Sequence, residues 1–399
     1  MVPPSIGSST PASSEQLSDP APPSSWFQRF LLPGLAFKAV VIGGGYATGR
    51  ELAEFFMPSG PWGGLAAIAT STIVFSVVCA VTFLFARQVR AWDYLTFFKQ
   101  LLGPGWILFE CAYVLFIILI LAVYGAAAGA IGTAVFGVSP LWGTAALAAL
   151  IAAVVTFGNA SVERMFALVS YLLYGVYALF IVLALTHFGD RIGAGFAQPS
   201  PSPGWLTGGV VYASYNLIGA VVVLPVIRHL TSRRDAIVAG IIAGPLAMLP
   251  ALLFFVEMVG FYPAIGSATL PSDFLLQRLD IPLFHLLFQL MIFSALLESG
   301  ASSVHAINER IARSLLNRRG VVLSHRARLI ISVLLLAFCM AVADRFGLVA
   351  LIANGYRALA YILIAVYVLP VLTIGLWRLT RPPPLKEAVA CDALSSSSS

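Results

Sequence analysis

The run GGGYATGRELAE, from Gly43 to Glu54, sets three successive glycines and a fourth at Gly49 beside Arg50, Glu51 and Glu54. Each Gly costs a helix about 1 kcal/mol relative to Ala, so Gly43, Gly44 and Gly45 together predict an unwound stretch. Carbonyls freed there can ligate a cation, and the half-helix N-terminus around Ala47, Thr48, Gly49 and Arg50 offers N–H groups to an anion. The Arg50 fork suits a carboxylate, with Tyr46 beside it to close over a solute. The same Arg50 stands four residues from Glu54 and can instead pair with it on one helix face. Glu51 projects about 100° away and is expected to face another helix. The glycines also admit a plainer reading, a close helix contact through Gly45-x-x-x-Gly49.

A second interruption lies in TGGVVYASYNLIGAVVVLPVIRHL, where Asn216 and Gly219 break an apolar run beside Tyr215 and Pro225 follows. A third run, SALLESGASSVHAINERI, carries Glu298 among small and hydroxylated residues. Its carboxylate can serve as a hard oxygen ligand for a small cation, carry a proton, or pair with Arg357. Glu110 and Glu257 also fall in apolar runs, without an assignable face. Tyr113, Tyr124 and Tyr212 read first as packing residues, and His285 and His305 as hydrogen-bonded structural residues without metal-ligand spacing.

The elements that must position these residues follow from composition. Of 399 residues, 59% are hydrophobic and 10% charged, and mean hydropathy is +0.93. A soluble domain has roughly 45–50% apolar and about 25% charged residues, so lipid is the solvent that accepts this surface. Ten segments approach the roughly 20 apolar residues of a spanning helix: 31–57, 62–86, 105–136, 141–157, 161–187, 206–227, 236–262, 282–307, 329–343 and 348–377. Residues 1–28 and 381–399 read as disordered tails, without a signal peptide. The transporter-like domain is thus 29–380, with repeats at 31–188 and 206–378.

Arg191, Arg278 and Arg345 fall on one side of these spans, and Lys38, Arg50 and Arg357 lie within them. The rest of the 23 Lys and Arg lie on the other side, so both termini are expected in the cytoplasm. Basic residues scattered over short loops exclude a nucleic-acid surface. Three of the four cysteines sit in apolar runs and the fourth in a polar tail, so no disulfide framework or paired metal motif is expected. Interrupted spans one and six imply two five-helix repeats, and because five is odd the second copy is inverted. That arrangement places a solute site where two broken helices meet.

The run GGGYATGRELAEFF, with YASYN in span six and NERI after span eight, resembles the YkvI-like membrane protein family. That family's first-span pattern is close to G-A-G-F-A-S-G-Q-E, and Arg50 stands where it tends to have Gln. The family is similar to the amino acid–polyamine–organocation superfamily with the LeuT-type 5+5 inverted repeat. The resemblance implies an all-α membrane protein with discontinuous helices 1 and 6, acting as a secondary transporter. It also implies an ion-coupling site of first-span carbonyls, at Ile42 and Gly45, with hydroxyls of span eight, where Ser299, Ser302 and Ser303 are available; Glu298 beside them adds a carboxylate that the resemblance does not itself supply. No cofactor is expected besides a coupling Na+ or H+.

Chemistry and resemblance together give an ion-coupled secondary transporter of a small carboxylate-bearing solute, an amino acid or related compound, in the cell membrane. A receptor of the same fold without net transport, and a channel, remain alternatives. An intramembrane enzyme is disfavoured, since neither H-E-x-x-H nor a G-x-S-x-G turn occurs.

Overall fold

The computed structural model describes residues 25–157, 160–198 and 203–380. The expected tails lie outside them except for residues 25–28. These are already built into the first helical segment: Gln28 N donates to Ser25 Oγ and Ser25 N to Gln28 Oε1, capping a π-helical start at Phe27–Leu31. Residues 25–28, expected in the tail, thus belong to the helical start, because an apolar Trp26–Phe27 pair and a reciprocal cap are enough to begin a helix.

All regular structure among the described residues is helical. Span one is divided into α1 (Leu32–Val41), a single turn α2 (Gly44–Ala47) and α3 (Arg50–Phe55). The long helices α4 (Gly60–Gln88), α6 (Trp106–Phe136), α7 (Pro140–Phe157) and α8 (Ala160–Phe196) follow, with amphipathic α5 (Tyr94–Leu102) between α4 and α6. Span six is divided into α9 (Trp205–Asn216) and α10 (Ile218–Val222), continued as a 3-10 segment at Leu224–His229. Next come α11 (Arg233–Val259), short α12 (Pro271–Leu279), α13 (Pro282–Arg319) and α14 (His325–Ala350). The chain closes with π-helical turns around α15 (Arg357–Leu363) and a short α16 (Leu376–Thr380).

Seven stretches of the described residues are long and apolar enough to cross a bilayer; α7 is a shorter apolar helix. The last two expected spans form one such stretch, bent where Gly347 takes φ +72° inside α14.

Small residues set the central packing. Gly240 and Gly244 on α11 let the α4 backbone approach so closely that a Cβ at either would overlap Ala80 or Ser76. Ser76 Oγ donates to Ile241 O and Ser71 Oγ to Gly209 O, both at 2.8 Å. Close backbones with hydroxyl bridges are how helices associate where lipid supplies no hydrophobic drive. At the end where basic residues concentrate, Arg29 forms a two-pronged pair with Asp235, both bonds 2.8 Å. Asp235 is also the third residue of the Ser232 capping box, so the start of span one is tied to the N-terminus of α11.

Candidate functional site

The first break falls where the glycines predict it. Helix α1 stops at Val41; Ile42 leaves helical geometry and Gly43 is extended, at φ −87° and ψ 177°. After α2, Gly49 adopts φ +77°, and a Cβ there would meet the Phe254 ring at 2.8 Å and Pro271 at 3.1 Å. Both a left-handed backbone and a tight wall therefore require glycine. Gly49→Ala is expected to lower stability by about 2 kcal/mol, read as a fall in melting temperature of the purified protein.

The second break is shallower. Helix α9 ends at Asn216, whose Nδ2 donates to Tyr212 O at 3.0 Å and so competes with the backbone ladder, and Leu217 stays in the right-handed region. Gly219 packs against α1, with Phe37 and Val40 each 3.2 Å from where its Cβ would lie.

A small cavity lies between the breaks, its free space about 20 Å³, room for about one water-sized group until the wall opens. Its wall includes Gly43, Tyr46 and Glu51 from span one, Tyr215 and Asn216 from span six, and Tyr124 and Tyr356 from α6 and the last span. Val40, Val41, Phe116, Ile120 and Ile218 supply apolar surface. Tyr215 donates to Glu51 Oε2 at 2.5 Å, and its ring lies 4.6 Å from that of Tyr356.

Of the residues singled out by sequence, Gly43, Tyr46, Tyr215 and Asn216 share this cavity. Gly44 and Gly45 form the adjoining turn, with Ala47 buried behind it. Thr48 is turned to the loop before α12: its carbonyl accepts from Ser272 N at 3.0 Å, and its Oγ1 from Arg50 N at 3.3 Å. Part of the half-helix N-terminus is therefore already engaged.

The two charged neighbours exchange the roles expected of them. Arg50 is 4% exposed and donates to Gly266 O at 2.8 Å, Ala268 O at 3.0 Å and Glu54 Oε2 at 2.8 Å. Arg357 reaches the other oxygen of Glu54 at 3.4 Å. Arg357 thus joins Glu54 rather than Glu298, and Arg50 does not line the cavity. Glu51, expected against another helix, is the charged residue that does.

On α13, Ser299 lies within reach of the Tyr124 hydroxyl and Ser303 donates to Ser299 O at 2.8 Å, whereas Ser302 is exposed. Glu298 is half-buried, in the electrostatic neighbourhood of Tyr174, whose ring Lys38 Nζ covers at 4.7 Å. Ile42 and Gly45 present backbone at the break, against which α13 packs. Glu110 pairs with Arg310 at 3.2 Å, and that guanidinium lies over Tyr94 and Tyr113. His285 bonds Asp273 at 2.7 Å, a structural role as its lack of metal spacing suggested.

Glu51, Tyr124, Phe116 and Tyr356 were not assigned to the site from sequence. The available signal was the position of Glu51, an acidic residue one step past a break with its only adjacent cation spaced to pair elsewhere. Tyr124 and Tyr356 had none, because bilayer-depth tyrosines look alike whether they pack or face a cavity.

No protein-family model matches the chain. It is 25% identical over 292 residues to the uncharacterized membrane protein YkvI of Bacillus subtilis (strain 168), covering 69% of this chain and 80% of that protein. MhsT in complex with L-phenylalanine superposes with a TM-score of 0.58 at 16% identity, covering 88% of each chain. A Na+-coupled sialic acid symporter in a substrate-bound outward-open state gives 0.56 at 12% identity, covering 84% of this chain and 78% of that one. By these likenesses the chain is a multi-pass membrane protein similar to YkvI that adopts the LeuT-type fold.

Proposed function

We propose that this protein is an ion-coupled secondary transporter that moves a small solute, an amino acid or related compound, by alternating access. The observation that carries this reading is the cavity between two broken spans, with the first break unwound at Gly43 and the second wall supplied by Tyr215 and Asn216. Interrupted backbone at membrane depth is tolerated where it lines a cavity, and two breaks facing each other form a site that can open to either side. The same fold holds L-phenylalanine in MhsT and couples to Na+ in the sialic acid symporter, which supports a solute of that size and a cation gradient as the energy source.

The coupling ion, Na+ or H+, is assigned to the carbonyls around Ile42 and Gly45 with Ser299. Glu298, next to Ser299 in sequence, and Glu257, which with Glu51 stands in the electrostatic neighbourhood of Tyr46, are carboxylates that can balance its charge. Both termini are assigned to the cytoplasm and the protein to the cell membrane.

Uptake into proteoliposomes of labelled amino acids and small organic acids, under separate Na+ and H+ gradients, tests this. Accumulation driven by one gradient is expected; absence of flux under both, with ligand binding retained, would make the protein a receptor instead. Gly43→Leu is expected to abolish uptake while leaving the fold intact, because its extended backbone admits any residue but its Cβ would already stand 3.0 Å from Tyr124 Oη. Wild-type uptake by that variant would remove the solute from this cavity.

A further inference from the structure

We propose that the cavity recognises its solute through a positively charged nitrogen, held by the Glu51 carboxylate inside a box of tyrosines. This rests on the reading that the cavity between the breaks is the solute site, and it names the group by which the solute is selected.

Charge comes first. Among the described residues Glu51 is the charged residue lining the cavity, and no Lys, Arg or His joins it in the wall. Arg50, the cation next to it in sequence, is committed on another face of the helix to two carbonyls and Glu54. Among the described residues the Tyr215 hydroxyl donates to Glu51, and no cation lies within ion-pair distance of it. A buried carboxylate answered by one neutral hydroxyl is costly, and a cation entering with the solute offsets that cost.

The rest of the wall suits the same group. Asn216 gives one amide N–H to Tyr212 O, so its side-chain oxygen can accept from an ammonium and its second N–H stays available to the solute's far end. The rings of Tyr46, Tyr124, Tyr215 and Tyr356 border the cavity, and Tyr215 and Tyr356 lie 4.6 Å apart. Aromatic faces around a desolvated ammonium stabilise it further, and they offer a carboxylate nothing comparable. A plain organic acid placed here would meet like charge. A zwitterionic amino acid and a simple amine both satisfy the wall, and the two differ only in what their far ends need.

The test uses the full-length protein in lipid nanodiscs, with ligand-induced thermal stabilisation and equilibrium binding as readouts. The probes are the common amino acids and simple alkyl- and arylamines, each beside its N-acetyl and its deaminated counterpart. Stabilisation by ammonium-bearing members and loss of it on acetylation or deamination is expected, with amines alone sufficing if the carboxylate is dispensable. Glu51→Gln is expected to weaken that binding roughly 10- to 100-fold, the scale of a lost charge-assisted hydrogen bond. Glu51→Asp, which keeps the charge, should bind more tightly than Glu51→Gln. The acetylation comparison on the wild-type protein needs no variant to fold.

Equal binding of the deaminated acids, unchanged affinity in Glu51→Gln, or no binding by any ammonium-bearing probe would overturn the proposal. So would stabilisation of the wild type by Na+ alone that is lost in Glu51→Gln while solute binding ignores acetylation, because Glu51 would then hold the coupling ion. Failure of the transport reading looks different: ammonium-dependent binding would persist with no flux into proteoliposomes.

Discussion

Arg50→Ala is expected to lower the unfolding free energy by about 3–5 kcal/mol, the effect of removing one partner from a buried ion pair. The guanidinium satisfies Gly266 O, Ala268 O and Glu54 Oε2 at once, from a side chain only 5% exposed. Its loss strands two carbonyls and leaves Glu54 with Arg357 alone, 3.4 Å away and half exposed. Arg50 also closes the loop between α11 and α12 onto α3, so that loop should become protease-sensitive in the variant. Thermal unfolding in micelles and limited proteolysis read both effects. Glu54→Ala should lose less, since the carbonyls keep their donor. In uptake assays Arg50→Ala, where it still inserts, should reduce anionic and neutral solutes alike. A selective loss for anionic solutes would return Arg50 to the cavity wall.

This residue also shows how far the sequence can be read. The spacing of Arg50 and Glu54 made their pairing legible, because (i, i+4) neighbours share a helix face wherever the helix goes. What was not legible was that α3 would turn that face toward the carbonyls of Gly266 and Ala268, more than two hundred positions along the chain. The break itself was legible, since consecutive glycines weaken any helix regardless of context. Its second counterpart was legible in position but not in depth: Asn216 ends α9, yet Leu217 stays helical and Gly219 serves close packing on α1. The apolar mass identified the membrane class and the approximate spans. Which of two adjacent side chains, Arg50 or Glu51, faces the cavity depends on a rotation of about 100°, and the unwound turn before them removes the register from which it could be counted.

Glu257→Met is expected to stabilise the fold by about 1–3 kcal/mol, opposite in sign to the Arg50 result. Glu257 sits on α11 with no accessible surface, and neither carboxylate oxygen has a hydrogen-bond donor among the described residues. Tyr46, which lines the cavity, and Tyr177 on α8 stand in its electrostatic neighbourhood, their ring centroids 6.5 Å apart. A lone carboxylate at that depth rests either as the protonated acid or beside a bound cation, so removing it relieves the fold of an unanswered polar group. The same removal should deprive the transporter of a charge-carrying position in the electrostatic neighbourhood of Tyr46, a residue of the cavity wall. Glu257→Gln, which keeps the shape, is accordingly expected to abolish gradient-driven accumulation while solute exchange at zero gradient continues. Loss of stability in Glu257→Met would mean that the carboxylate holds a structural partner. Full accumulation by Glu257→Gln would leave the coupling to the Ile42, Gly45 and Ser299 oxygens alone.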